Sequence, residues 1–159
     1  MKYTQYIEQN MEAALEQAKV AASLGEIPVG AVVVKDGQII AKGYNTRERD
    51  NDITGHAEIN AIREAERVLG DWRLAGCDMF VTMEPCPMCI GAIIASRIGR
   101  LFYGCSDPVA GACKSVTNIY TSGINAGKLE IYDDIMADEA SAVVDGFFNG
   151  IREQTEQKS

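Results

Sequence analysis

Apolar residues at Ile7, Met11, Ala14, Leu15, Ala18 and Ala22 recur at helical spacing while Glu8, Glu12, Glu16 and Lys19 fall on the other face, so the chain begins as an amphipathic helix. Gly25 is its expected stop. The period then changes. Val29-Gly30-Ala31-Val32-Val33-Val34 is a continuous apolar run rich in β-branched residues, and Ile39-Ile40-Ala41 resumes after Lys35-Asp36-Gly37-Gln38, which predicts two strands joined by an Asp-Gly hairpin. The second strand should end near Gly43-Tyr44-Asn45, with a polar loop over 46–55. From His56, the positions Ala61, Ile62, Ala65, Val68 and Leu69 mark one face of a helix that stops at Gly70. A strand over 79–82 follows. Pro87 suits the first position of a helix over 87–96 whose run Ile90-Gly91-Ala92-Ile93-Ile94-Ala95 is apolar nearly all round and should be buried. Further strands are expected over 100–104 and 129–132, separated by a long loop over 107–127 with one helical turn. Ala140, Val143, Val144, Phe147, Phe148 and Ile151 define a closing helix, followed by a frayed tail over 155–159.

The resulting order, α-β-β-α-β-α-β-β-α, implies an α/β fold with one sheet and helices on its faces. At 159 residues the chain is most simply one domain over 1–159, with an ordered core from about 4 to 152 and a short polar C-terminal tail. A chain of that length buries about two-thirds of its unfolded surface and needs no metal to fold. No run approaches the roughly 18 apolar residues of a membrane span, and the N-terminus is a polar, acidic helix rather than a basic patch followed by an apolar one. Five cysteines, an odd number, fit a reducing compartment better than a disulfide framework, so the expected location is the cytoplasm. A net charge of −8 argues against a surface that binds nucleic acid as a whole.

The chemistry concentrates in His56-Ala57-Glu58 and Glu84-Pro85-Cys86-Pro87-Met88-Cys89. A Cys-x-x-Cys pair offers two thiolates to zinc, and His56, the one histidine in the chain, is the natural third ligand. Three protein ligands leave a fourth position for water, and Glu58 stands two residues beyond a ligand, placed to handle protons without coordinating. This H-x-E…P-C-x-x-C pattern is that of zinc deaminases acting on nucleobases. Two plainer readings stand beside it. One is a closed structural zinc site completed by Cys77, Cys105 or Cys113, which leaves Glu58 unexplained; the other is a redox dithiol, which leaves the His-Ala-Glu run unexplained. In the deaminase reading the ligands sit at the N-termini of two helices, whose dipoles stabilise thiolates.

Together with those motifs, Glu26-Ile27-Pro28-Val29-Gly30-Ala31-Val32, Gly55-His56-Ala57-Glu58 and Ser96-Arg97-Ile98-Gly99-Arg100 resemble the cytidine deaminase superfamily, and within it the bacterial tRNA-specific adenosine deaminases. The likeness covers roughly residues 11–151. It implies a three-layer α/β/α fold around a mixed five-stranded sheet, one Zn2+ per chain on His56, Cys86 and Cys89, Glu58 as catalytic proton carrier, and a homodimer. Asn45, which lies eleven residues before His56 as in the family, and Val29 are implied as base-binding residues, with Ala57 and Glu84 beside them.

Two substrate classes follow. The likeness points to adenosine in a tRNA anticodon loop, with Arg47, Arg49, Lys114 and Lys128 as loop cations available to phosphate. Where that family carries a Gly-Ala-x-Gly-Ser type run and an Asn-His-Arg, this chain reads Gly111-Ala112-Cys113-Lys114-Ser115 and Asn125-Ala126-Gly127-Lys128, and its tail carries two glutamates. Those differences and the acidic balance favour the alternative, a metabolic deaminase of a free base or nucleoside. The expected activity is the tRNA one.

Overall fold

The structure, a computed structural model, describes residues 3–119, 122–125 and 128–158. Its elements run α1 (Tyr3–Ser23), β1 (Gly30–Lys35), β2 (Gln38–Tyr44), α2 (Ala57–Leu69), β3 (Cys77–Met83), α3 (Pro87–Ala95), β4 (Arg100–Cys105), β5 (Glu130–Tyr132) and α4 (Ala137–Lys158). The five strands form one sheet in the order β2-β1-β3-β4-β5. β1 pairs antiparallel with β2 and β3, whereas β3–β4 and β4–β5 are parallel. The expected element order and mixed five-stranded sheet are both present.

Strand alternation explains why the central strands read as unbroken apolar runs. Ala31, Val33, Met79, Val81, Leu101 and Tyr103 point to one face, where they meet Ala61, Ala65, Ile90 and Ile93 of α2 and α3. Val32, Val34, Phe80 and Phe102 point to the other and meet Met11, Ala14 and Leu15 of α1 and Ala140 of α4. With both faces covered, only the end residues Lys35, Met83 and Arg100 of β1, β3 and β4 reach solvent, and those only in part. Phe80 and Phe102 stack at 4.5 Å across the parallel pair, and Tyr6 meets Phe80 edge-on at 5.6 Å. Replacing either phenylalanine with alanine would cost about 3–5 kcal/mol by the usual large-to-small penalty.

One polar cluster joins α1 to the sheet at the end of β3 and β4 remote from Met83 and Cys105. Arg100 forks onto Asp78 through Nε at 2.8 Å and Nη2 at 2.5 Å, and the Tyr6 hydroxyl donates to Asp78 Oδ2 at 2.5 Å. Asp78 and Arg100 are register partners on adjacent strands, so the fork forms with no backbone adjustment.

The structure departs from the sequence reading in three places. α4 runs on to Lys158 instead of fraying at 155, since 152–158 contain mostly straight-chain helix formers and Thr155 returns its hydroxyl to the Ile151 carbonyl. Its apolar stripe is only partly covered: Ala140 is buried, but Phe148 and Ile151 are exposed. α3 buries Cys89, Ile90 and Ile93, while Gly91 and Ala95 face outward, so it is not enclosed all round. Tyr120, Thr121, Ala126 and Gly127 of the long loop, and Ser159 of the tail, lie outside the described residues. No helix among the described residues is long and apolar enough to cross a membrane.

The Tyr6 cluster gives an alkaline prediction. Burial first, then the hydrogen bond to Asp78, hold the Tyr6 phenol well above its ordinary value of 10.0. A group raised on folding contributes stability that is complete below its unfolded pKa and is lost as pH rises through the folded one. The contribution should therefore persist to about pH 10 and fade only above it. Titrations of tyrosinate absorbance for the wild type and Tyr6→Phe should coincide up to about pH 11, and a lower-pH difference between the curves would contradict the assignment.

Candidate active site

Two helix N-termini converge here. His56 is the N-cap residue of α2, in extended conformation and with no side-chain capping bond, which leaves its imidazole free to point away from the helix. Cys86 caps α3 in the same way, Pro87 holds the first helical position, and Cys89 follows one turn later. α2 reaches this place because it lies directly on β2 at Gly43. A Cβ there would overlap the Ala57 carbonyl oxygen and approach Ala61 N to 2.6 Å.

His56 Nδ1 is 3.7 Å from Cys86 Sγ and 3.4 Å from Cys89 Sγ, and all three ligand atoms lie within 4.8 Å of one another. Tetrahedral zinc with nitrogen at about 2.0 Å and sulfur at about 2.3 Å separates its ligands by roughly 3.5–3.8 Å. The donor set and its spacing therefore fit zinc. No third thiolate closes the site: Cys77 starts β3 at the far end, Cys105 faces the α1 side of the sheet, and the Cys113 backbone is bonded to Glu84. All five cysteines are free, and Cys77, Cys105 and Cys113 are small buried residues of the interior.

Cys86 is pushed down to about 4 chiefly because the Cys89 thiol donates to it, and Cys89 is pushed up correspondingly. The hydrogen bond to Cys86 also raises His56. Glu58, in the first turn of α2, is 4% exposed and lies beside the Cys89 sulfur; burial pushes its carboxyl up to about 7.

These residues form the floor of a cavity of about 310 Å³. Ile27, Val29, Asn45 and Arg47 make one wall, and Met83, Glu84, Asp107, Val109 and Ala110 the other, with His56, Ala57, Glu58 and Cys86 below. Asn45 donates to the Ile27 carbonyl at 3.2 Å and accepts the Arg47 N–H at 3.0 Å, which leaves one amide hydrogen and one lone pair for a ligand. Glu84 lines the cavity, but its carboxylate is occupied: it accepts four backbone N–H groups and the Ser115 hydroxyl from the loop after β4. These donors outweigh burial and hold it below the usual range. Glu84 therefore stands where the sequence reading put it, beside the cavity, with its carboxylate already engaged by the chain's own donors.

Of the four expected cations, only Arg47 lines the cavity. Arg49 is exposed on the same loop, Lys114 is paired with Asp133, and Lys128 lines a separate groove with Ile94, Arg97 and Asn125 at the C-terminal end of α3. In the sequence, Glu26 figures only within the phrase Glu26–Val32, and 107–110 only as part of the long loop 107–127. Glu26 is 1% exposed and accepts the N–H groups of Glu48 and Arg49 at 3.0 Å, fixing the loop that carries Arg47. A single glutamate between a helix and a strand carries no local signal of that role.

An open His-Cys-Cys centre with a buried glutamate beside it, at the floor of a base-sized cavity, defines a zinc-dependent hydrolytic enzyme. Residues 4–105 match the family model of the cytidine and deoxycytidylate deaminase zinc-binding region, and the chain belongs to that family of deaminases. It is 44% identical over 145 residues to a tRNA-specific adenosine deaminase of Rickettsia bellii, covering 90% of this chain and 100% of that one. A solved structure from studies of A-to-I editing by tRNA:A34 deaminases superposes with a TM-score of 0.82 at 41% identity, covering 85% of this chain and 98% of the other. A guanine deaminase structure from Bacillus subtilis matches at TM-score 0.61 and 37% identity, over 82% of this chain and 73% of that one.

The purified protein should carry one zinc per chain, and His56→Ala, Cys86→Ser and Cys89→Ser should each lose it by elemental analysis. Because both thiols must give up their protons to the metal, zinc affinity should fall as pH is lowered, measured by competition with a chromophoric chelator. Stoichiometric zinc in all three variants would refute the ligand set.

Proposed function

We propose that this enzyme hydrolytically converts adenosine to inosine in tRNA, at the wobble position, and that it acts in the cytoplasm. Two observations support the reading: a base-sized cavity lies over the zinc ligands and Glu58, and relatives named tRNA-specific adenosine deaminase match along nearly the whole chain. The free thiols of all five cysteines suit a reducing compartment.

In the reaction, a water oxygen bonds to the ring carbon bearing the amine, and the carbon–nitrogen bond then breaks to release ammonia. When bound, zinc supplies the electrostatic activation that makes water nucleophilic near neutral pH. Glu58 takes the proton from the attacking water and delivers protons to the ring nitrogen and the leaving amine, and its enclosure keeps its affinity for protons near neutrality. Asn45 offers its remaining donor and acceptor to the base edge, and Val29 and Ile27 pack against its face. Ala57, small and buried between His56 and Glu58, leaves room for the ring. Arg47 at the cavity mouth, with Arg49 beside it, meets the backbone phosphates.

A second reading, deamination of a free base, is favoured by the likeness to guanine deaminase and by the presence of a single cation, Arg47, among the described residues that line the cavity. Ammonia release from free bases, nucleosides and deacylated tRNA separates the two. Each phosphate neutralised on a single strand adds a slope of about −0.7 in log K against log salt, so Arg47 and Arg49 should give roughly −0.7 to −1.4 for tRNA. Arg47→Ala should lower that slope by about 0.7, and Lys114→Ala, a change away from the cavity lining, should leave it alone. Turnover of tRNA no better than of guanine at any salt concentration would reject the RNA reading. Glu58→Ala should keep its zinc while kcat falls about 10²- to 10⁴-fold; an active variant would remove the proton-carrier role.

The proposal includes a homodimer. The outward side of α3 supports it: Gly91 faces open space and Ala95 is exposed, a flat strip on which another backbone fits closely. Light scattering should give twice the chain mass at micromolar concentration, and a monomer mass would reject this part.

A further inference from the structure

Glu84 stands where β3 passes into the zinc-binding corner, and it is 2% exposed. Its oxygens accept the N–H of Asp107 at 3.2 Å, those of Cys113, Lys114 and Ser115 at 3.0 Å each, and the Ser115 hydroxyl. A carboxylate offers about four lone-pair sites, so these donors saturate it. The donors come from a segment with no helix or strand of its own, whose backbone would otherwise lack partners away from water. The segment also closes tightly over the charge. At Gly111, a Cβ would press on the Glu84 carboxyl carbon and come within 2.5 Å of its Oε1 and of the Asp107 carbonyl oxygen.

The opposite side of the same segment presents Asp107, Val109 and Ala110 to the cavity. Val109 is 85% exposed, so its own packing does not hold it in place. The segment is also registered to the metal corner: Ala112 donates to the Pro85 carbonyl at 2.9 Å, and Pro85 precedes the ligand Cys86. We infer that Glu84 is a positioning residue for the reaction, a buried carboxylate around which the loop 107–115 folds to become the wall that holds the base over the zinc ligands and Glu58. The inference rests on the cavity being the substrate site, as proposed above. It assigns Glu84 no contact with reacting atoms and makes the fit of the substrate, not the metal centre, depend on it.

Full-length, zinc-loaded Glu84→Gln, Gly111→Ala and Ser115→Ala proteins test this, with an RNA hairpin carrying a loop adenosine as the probe. Glutamine places an amide donor against N–H donors, Gly111→Ala displaces the loop while leaving every charge in place, and Ser115→Ala removes one donor. Glu84→Gln and Gly111→Ala should lower kcat/KM roughly ten- to hundredfold, mainly through KM, because small misplacements of a bound substrate have effects of that order. Ser115→Ala should do so to a smaller degree. Amide hydrogen exchange should quicken in 107–115, and zinc should stay at one per chain. Two results would overturn the inference: zinc lost in step with activity, or faster exchange in 107–115 with kcat/KM unchanged. If Glu84→Gln does not fold, Gly111→Ala decides by the same split. A wild type that released no ammonia from the hairpin would reject the RNA reading instead, and the same variants assayed on guanine would then decide the role of Glu84.

Discussion

The site exists because two helices must bury their apolar faces on the same side of one sheet. α2 lies on β1 and β2 and α3 on β3 and β4, and their N-termini come out side by side at one edge. His56 and Cys86 are both first-turn caps with unused side chains, so convergence of the helices brings imidazole and thiols within 3.4–3.7 Å without any loop having to fold back. The positive ends of both helices then favour thiolates over thiols at this place. Metal geometry is thus fixed by the core, and Gly43 is what lets α2 sit close enough to the sheet to fix it.

Three buried glutamates surround this centre, and each is accommodated differently. Glu26 and Glu84 are held by backbone N–H groups, two for the first and four plus a hydroxyl for the second. A buried carboxylate is tolerated when its oxygens are satisfied, and here the donors belong to the loops on opposite sides of the cavity. Each charge therefore orders a stretch of irregular chain. Glu58 has no such set of N–H partners; burial raises its proton affinity, which is the property the proposed proton transfer needs near neutral pH.

The aromatic stack and the Tyr6–Asp78–Arg100 cluster lie on the opposite face and at the opposite end of the sheet from the zinc ligands. Stability and chemistry are consequently separated in space. The strand ends at Met83 and Cys105 are free to carry irregular loops because the other ends of β3 and β4 are pinned. The cations follow the same division: among the described residues Arg47 is the one that lines the cavity, while Lys114 and Lys128 lie elsewhere.

The sequence by itself determined the elements and the chemistry of the centre. Unbroken apolar runs at 29–34 and 79–82, the helical period of 61–69 and the Asp-Gly turn are local patterns whose physical cause lies within a few residues. His56, Glu58, Cys86 and Cys89 were legible for a similar reason, since the spacing of metal ligands at a helix start is written in consecutive residues. What lies around the metal was not legible. Glu84 and Glu26 carry no local sign of their partners: the donors to Glu84 come from the loop 107–115, more than twenty residues away, and those to Glu26 are the N–H groups of Glu48 and Arg49. Lys114 and Lys128 are equal in the sequence to Arg47, and only the path of the chain decides that one faces the cavity and the others do not. Hydrogen bonds between distant segments leave no periodic trace, and so the tertiary structure alone decided which polar residues line the cavity and which hold its walls.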